Sequence, residues 1–351
     1  MKGMKKTLAL TLAAVFAFTL LAGCAPAAAP AATTAPAATE AAATATPEAA
    51  ANPGASPAEG DGYTVKFAPF ISYTGLGTAL GFQKGFFAEN GLKVETVNLD
   101  DKVSGLISGD IDFADLNTSQ AITAAAKGAP FKIVGSMFRT KGAFYLLGGK
   151  GIDSVADLKG KVVGIAAAGS GLEAYTRVIL QKNGLDPDKD VTLVANGVYQ
   201  QAYASLQNGQ VAATIIHQPF VALAESKGEG KLLAKGYEYL PTFNTGVLVA
   251  SDKFIAEHPD DLKKIIAAYF KSWTYAKEHL DETVAFGADY VQVDAAVLKT
   301  ALESELGIWA NDPKVDLSTL NDTQDVQIQL GFQKEKYDAS KFVDQRFIPQ
   351  Q

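Results

Sequence analysis

Apolar positions along this chain switch repeatedly between the two-residue period of a strand and the three-to-four-residue period of a helix. The stretch 157–181 shows the switch most clearly. Asp157-Leu158-Lys159-Gly160-Lys161 is a polar turn, and 162–166 is a short apolar run of the kind found in strands buried on both faces. Gly169-Ser170-Gly171 breaks that run. Leu172, Tyr175, Ile179 and Leu180 then recur at helical spacing, with Ser170 placed to cap the helix. Such a unit puts a helix N-terminus, with its unpaired N–H groups and positive dipole end, at the carboxyl edge of a sheet. α/β proteins bind ligands there. A tight turn with a serine cap would account for the same residues, so the unit gains weight only by recurring.

It does recur. The pattern predicts strands at 64–70, 92–99, 111–116 and 131–138. Between them it predicts helices at 78–90 (opened by Gly75-Leu76-Gly77), at 103–108, and from Asn117-Thr118-Ser119 to Gly128. After an apolar crossing segment at 144–147, a second set begins at Val162. It continues with strands at 191–195 and 212–216, a helix opening at Gly197-Val198-Tyr199-Gln200, and a strand end at His217-Gln218-Pro219. A second crossing at 245–250 leads to a mostly helical tail, with helices at 259–279, 281–290, 295–306 and 319–333. Alternating β and α elements imply an α/β fold with parallel-rich sheets flanked by helices. Two sets joined by two crossings imply two lobes about a hinged cleft, 63–143 plus 249–351 forming lobe 1 and 144–248 forming lobe 2.

Composition changes the picture at the front of the chain. Lys2, Lys5 and Lys6 precede an apolar run at 8–20 that is too short to span a membrane stably, and residues 1–23 read as a secretory leader. Its ending, Leu21-Ala22-Gly23-Cys24, resembles a bacterial lipobox. The resemblance implies that Cys24 is diacylated and anchors the protein to the extracytoplasmic face of the cell membrane. Cys24 is the only cysteine among 351 residues, which excludes an intramolecular disulfide and any cysteine-based metal site. Residues 24–62 are mostly Ala, Pro and Thr, with Pro26, Pro30, Pro36, Pro47, Pro53 and Pro57 spaced through them. Such a segment buries too little apolar surface to fold and reads as a disordered tether. The net charge of −7, without a basic run, argues against nucleic acid as a partner.

Few motifs survive as catalytic candidates. Gly75-Leu76-Gly77-Thr78-Ala79-Leu80-Gly81 opens a helix after a strand, but its third glycine is one position late for a dinucleotide fingerprint. Asp110, Asp112 and Asp115 imitate part of a calcium loop. The apolar residues between them belong to a strand, so solvated strand-edge aspartates are the expectation. His217, His258 and His279 lack metal-ligand spacing; only His217 ends a strand at the expected cleft. Neither a nucleophile beside a base nor paired cleft carboxylates are visible, so no enzyme activity, metal or cofactor is expected.

Several segments carry a family resemblance: Gly85-Phe86-Phe87-Ala88-Glu89-Asn90-Gly91-Leu92-Lys93-Val94, Ser108-Gly109-Asp110-Ile111-Asp112-Phe113-Ala114, Ala125-Ala126-Lys127-Gly128-Ala129-Pro130, Asn183-Gly184-Leu185-Asp186-Pro187, and 205–213. In order and spacing they resemble the nitrate/sulfonate/taurine superfamily of solute-binding proteins, which includes binders of riboflavin and of the thiamine-precursor pyrimidine. The resemblance implies a two-lobe type II periplasmic-binding-protein clamp, monomeric, handing a small molecule to an ABC permease and its ATPase. A sensory protein presenting ligand to a receptor is the alternative from another class. The expected ligand contacts are Phe70, Tyr73, Asn117, Thr118, Ser119, Phe138, Gly169, Ser170, Gly171, Tyr199, Gln200, His217, Gln218 and Phe243. Phe70, Tyr73, Phe138, Tyr199, Tyr203 and Phe243 are suited to sandwiching a flat ring. Arg139 is the one arginine expected near the hinge. With cations so scarce, a heteroaromatic such as riboflavin or the pyrimidine is favoured, and a small anion such as an alkyl sulfonate, taurine or nitrate is the alternative.

Overall fold

The computed structural model describes residues 62–348 apart from Asn90; the leader, Cys24 and the tether up to residue 61 lie outside the described residues. The first half supplies β1 (Thr64–Ala68), α1 (Leu76–Gln83), α2 (Phe86–Glu89), β2 (Lys93–Thr96), α3 (Lys102–Ser108), β3 (Phe113–Asn117), α4 (Thr118–Ala126) and β4 (Phe131–Ser136). The second half supplies β5 (Tyr145–Gly149), β6 (Val162–Gly164), α5 (Gly171–Lys182), β7 (Thr192–Val194), α6 (Tyr199–Gln207), β8 (Ala213–Ile216), α7 (Phe220–Ser226), β9 (Gly230–Lys235) and α8 (Gly236–Tyr239). Then follow β10 (Gly246–Ser251), α9 (Asp252–Glu257), α10 (Pro259–Glu278), α11 (Leu280–Val291), α12 (Ala295–Glu305) and α13 (Leu317–Gln329).

These strands form two five-stranded sheets, ordered β2-β1-β3-β10-β4 and β7-β6-β8-β5-β9. Each sheet pairs three strands in parallel and inserts one antiparallel strand, β10 in the first and β5 in the second. The segments read as crossings at 144–147 and 245–250 are therefore mostly these inserted strands. Both are covered on two faces, so their continuous apolar sequence carries no alternation to mark them. Leu248 and Ala250 enter one core while Val247 and Val249 enter the other. Likewise Leu146 faces one second-lobe core, and Tyr145 and Leu147 the other. The edge strand β9 lies outside the expected elements, because its half-buried Gly-Lys-Leu-Leu-Ala-Lys sequence fits neither period. The helix expected over 78–90 is broken at Gly85, whose φ of +78° suits glycine.

α10 shows how the tail holds the first lobe. Pro259 sits at its first turn with Asp260 and Asp261 beside the positive dipole end. Leu262, Ile265, Ile266, Tyr269, Trp273 and Ala276 recur on one buried face. α12 and α13, expected with the first lobe, pack on both. Leu298 and Leu302 enter a first-lobe core, while Ser304 Oγ accepts from Gln218 Nε2 at 3.1 Å. Leu320 is buried in the first lobe, and Val326, Leu330 and Phe332 lie against the second-lobe core.

Candidate interlobe site

The connections after β1, β3, β6 and β7 leave the carboxyl ends of parallel strands, and those after β1 and β7 meet, Thr74 Oγ1 lying 3.4 Å from Tyr199 Oη. Ser72 and Ala166 in these connections and Tyr199 at the start of α6 are three of the five non-glycine residues with positive φ among the described residues. Each such residue costs about 1–3 kcal/mol and persists only where the surroundings fix it, a burden that concentrates at functional sites.

A cavity of about 800 Å³ opens between the lobes, lined by α3, α4, the N-terminal turn of α5 and the end of α13. Five of the expected contacts line it: Asn117, Ser119, Gly169, Ser170 and Gly171. Asn117 caps α4, its side-chain oxygen accepting from Gln120 N at 3.3 Å, and Ser170 caps α5 by accepting from Glu173 N at 3.2 Å. The caps leave the remaining first-turn N–H groups of two helices, one from each lobe, with their positive dipole ends at this cavity. Glu173 offsets part of that field: its carboxylate accepts from Gly169 N at 2.6 Å and pairs with Arg177 at 2.7 Å. Further along, Ile107, Leu172 and Phe332 give the wall apolar stretches. Ser119 Oγ and Gln327 Nε2 are buried without a hydrogen-bond partner.

The aromatic set lies elsewhere. Phe138 is fully buried, stacked on Trp273 with ring centroids 3.4 Å apart and edge-on to Trp309, so it belongs to the first-lobe core. Phe243 packs edge-on against Tyr175 in the second-lobe core, and Tyr203 is buried beside Phe220. Tyr73 is buried too, its hydroxyl unpartnered. Phe70 lies under the Lys102 ammonium at 4.1 Å, Gln200 is exposed, and Thr118 Oγ1 donates to Asn244 Oδ1 at 2.6 Å. None of these lines the cavity, and neither do Tyr199, His217 or Gln218. Aromatic residues in cleft loops suit ligand contact, but buried lobe cores compete for the same side chains.

A buried polar cluster joins the lobes beside these rings. Arg139 is ion-paired with Glu305, to which Tyr145 Oη donates at 3.0 Å. Arg139, the one arginine expected near the hinge, is thus already neutralised. Burial works against its charge, but Glu305 and the surrounding tyrosines outweigh it and raise its pKa. Tyr199 stacks on His217 at 4.9 Å, and its hydroxyl reaches Thr74 Oγ1 across the lobes at 3.4 Å. Burial, reinforced by the Arg139 charge, pushes the His217 pKa down to about 3, leaving a neutral imidazole with its Nδ1 unpartnered. Asp112 and Asp115, expected at a solvated strand edge, are buried instead: Asp112 accepts from Lys66 N at 2.9 Å, and Asp115 is bonded to Lys102 Nζ at 2.9 Å, with burial raising its pKa against the pull of Lys102. Glu305, Lys102 and Gln327 went unnoticed in the sequence because each lies on a helix with nothing local to distinguish it. Among the described residues no group of three or more His, Cys, Asp or Glu side chains could hold a metal ion.

A family model described as NMT1/THI5-like matches residues 74–283. A candidate aliphatic sulfonates-binding protein of Bacillus subtilis is 27% identical over 273 residues, 76% of this chain and 81% of that one. A candidate thiamine biosynthesis protein of Haemophilus influenzae is 27% identical over 241 residues, 66% of this chain and 75% of its own. Among solved structures, the alkanesulfonate-binding protein SsuA of Xanthomonas axonopodis pv. citri, bound to MOPS, superposes with a TM-score of 0.66. It is 19% identical, with 82% of this chain and 99% of SsuA covered.

Proposed function

We propose, since this chain belongs to the NMT1/THI5-like family, that it is the extracytoplasmic solute-binding protein of an ABC importer and that it is a binder, not a catalyst. Its cargo on this reading is a small organic anion of the sulfonate kind. The observation that carries the ligand class is the separation of the two expected contact sets: capped helix N-termini from both lobes line the cavity, and the aromatics do not. An anionic head there accepts hydrogen bonds from the first turns of α4 and α5, which need no fixed cation to hold negative charge. A ligand touching both helices binds the closed form better than the open one and shifts the population toward it. The permease and its ATPase then receive the closed form. The sulfonate-binding relatives support this ligand class over the riboflavin or pyrimidine expectation. The deciding measurement is calorimetric titration of the purified body with hexane-1-sulfonate, taurine and riboflavin, on wild type and Ser170→Leu. We expect a sulfonate to bind wild type and to lose at least about tenfold affinity, near 1.4 kcal/mol, in the variant. Binding of riboflavin alone would reverse the assignment.

The same reading attaches the protein to the membrane as a monomer through a lipid on Cys24, with residues 24–62 as tether. Cys24→Ala should then yield a soluble body that still binds its ligand. Recovery of that variant in the membrane fraction after a high-salt wash would remove the anchor from the proposal.

A further inference from the structure

α13 carries a row of buried polar side chains, and the protein satisfies all but one of those that face its interior. Thr323 Oγ1 accepts from Asn244 N at 2.7 Å and donates to Thr319 O at 2.8 Å. Gln324, 1% exposed, donates to Tyr337 O at 3.0 Å and accepts from Tyr337 N at 2.8 Å and Gln333 Nε2 at 2.9 Å. Gln327, one turn further on, is 4% exposed, lines the interlobe cavity, and has no partner for its side-chain nitrogen. Ser119, on the α4 wall of the same cavity, likewise buries its hydroxyl oxygen without a partner. An amide nitrogen offers two donors and a hydroxyl one, and a folded protein rarely leaves such groups unpaired. α13 also lies beyond residue 283, where the family match ends.

We infer that Gln327 and Ser119 form a specificity pair that reads a hydrogen-bond acceptor on the body of the ligand, separate from its anionic head. The inference rests on the proposed anion-binding role of the same cavity. The head occupies the first turns of α4 and α5, and the acceptor, an ether, hydroxyl or carbonyl oxygen, completes the bonds of Gln327 and Ser119. The ligand class narrows accordingly to organic anions with a polar atom on the chain, and a plain alkyl sulfonate leaves the pair unpaired. A cavity of about 800 Å³ has room for such a body, which a bare inorganic anion would leave unfilled. A site built to bond a polar atom discriminates against the analogue lacking it, because its own buried groups then stay unpaired.

The test uses two probes on the purified protein: hexane-1-sulfonate, with no acceptor on its chain, and the morpholine sulfonate MOPS at mildly alkaline pH, where its ring nitrogen is uncharged. Gln327→Leu and Ser119→Ala should each weaken MOPS binding about tenfold while hexane-1-sulfonate changes less than about twofold. Without ligand, Gln327→Leu should melt at or above wild type, since a buried unpaired amide gives way to an apolar group of similar size. Equal losses for both probes, or a melting temperature several degrees below wild type, would make Gln327 structural and overturn the inference. No loss for either probe would overturn it as well, the pair then being satisfied by buried water. If wild type binds neither sulfonate, the anion reading falls and this inference with it. If wild type binds both sulfonates but neither variant discriminates between them, only this inference falls.

Discussion

The imidazole of His217 is held neutral by burial and by the nearby Arg139 charge, edge-on to Phe144 and stacked on Tyr199. Its pKa falls to about 3, against about 6.5 in an unfolded chain. The unfolded state therefore binds the extra proton first. Stability from this residue is fully present above the unfolded pKa and is lost as pH falls from there toward the folded value. The slope in that window is about 1.4 kcal/mol per pH unit. His217→Phe keeps a ring against Tyr199 but cannot titrate. Urea unfolding midpoints measured from neutral pH down to mild acid should fall more steeply for wild type than for the variant. Parallel pH profiles for the two proteins would show that His217 is not buried in this way. At this scale the sequence was readable where the rule is local: Asn117 and Ser170 were legible as caps because a cap is defined by the residues that follow it. The roles of Arg139 and Tyr73 were not legible, since Glu305, which neutralises the first and lies beside the second, is distant in the chain.

At the scale of elements, the repeating strand, turn and helix made both sheets readable, and the errors fell where an element breaks the repeat. β5 and β10 run antiparallel inside sheets that are otherwise largely parallel, and their uniform apolarity looked like connecting chain. α13 was found as a helix, but its amphipathic pattern does not say which core it joins. It joins both, and it also fastens the second crossing. Thr323 Oγ1 accepts from Asn244 N at 2.7 Å, and the Asn244 side-chain oxygen accepts from Thr118 Oγ1 at 2.6 Å and from Gly246 N at 3.2 Å. Helix α13, the crossing and the first residue of α4 thus share one buried network. Thr323→Val keeps the shape but strands the buried Asn244 N–H, at a cost of about 1–3 kcal/mol. Thr319→Val is the control: its hydroxyl accepts from Asn244 Nδ2 at only 3.4 Å, and Asn244 N–H keeps its partner. Denaturant unfolding should rank Thr323→Val clearly below Thr319→Val; equal stabilities would mean that the crossing does not depend on α13.

For the whole molecule the question is what holds the lobes together when no ligand is bound. The direct link between the cleft loops is weak. Thr74 Oγ1 and Tyr199 Oη lie 3.4 Å apart, at the long limit of a hydrogen bond, and Tyr199 has a φ of +49°. A bond of this kind contributes about 0.5–1.5 kcal/mol, and the strained backbone draws on that gain. The Arg139–Glu305–Tyr145 cluster is a different matter. Arg139 and Glu305 both belong to the first lobe, so their ion pair survives opening; the bond that joins the lobes here is the one Tyr145 Oη donates to the buried Glu305 carboxylate at 3.0 Å, and stranding that group would be costly, so the cluster behaves as part of the hinge, not as a latch. Opening should therefore proceed at the Tyr199 side while the Arg139 side stays closed. Tyr199→Phe removes the latch and keeps the ring on His217. By population arithmetic it should shift the ligand-free equilibrium toward the open form by roughly two- to tenfold and weaken ligand binding by no more than that factor. Small-angle scattering should report a larger radius of gyration for ligand-free Tyr199→Phe than for wild type. With ligand added the two proteins should coincide, because contacts to α4 and α5 then dominate closure. If the variant scatters like wild type without ligand, Thr74 and Tyr199 do not govern the opening. If it stays expanded with saturating ligand, Tyr199 belongs to the binding surface itself, and the aromatic side of the cleft regains its claim on the ligand.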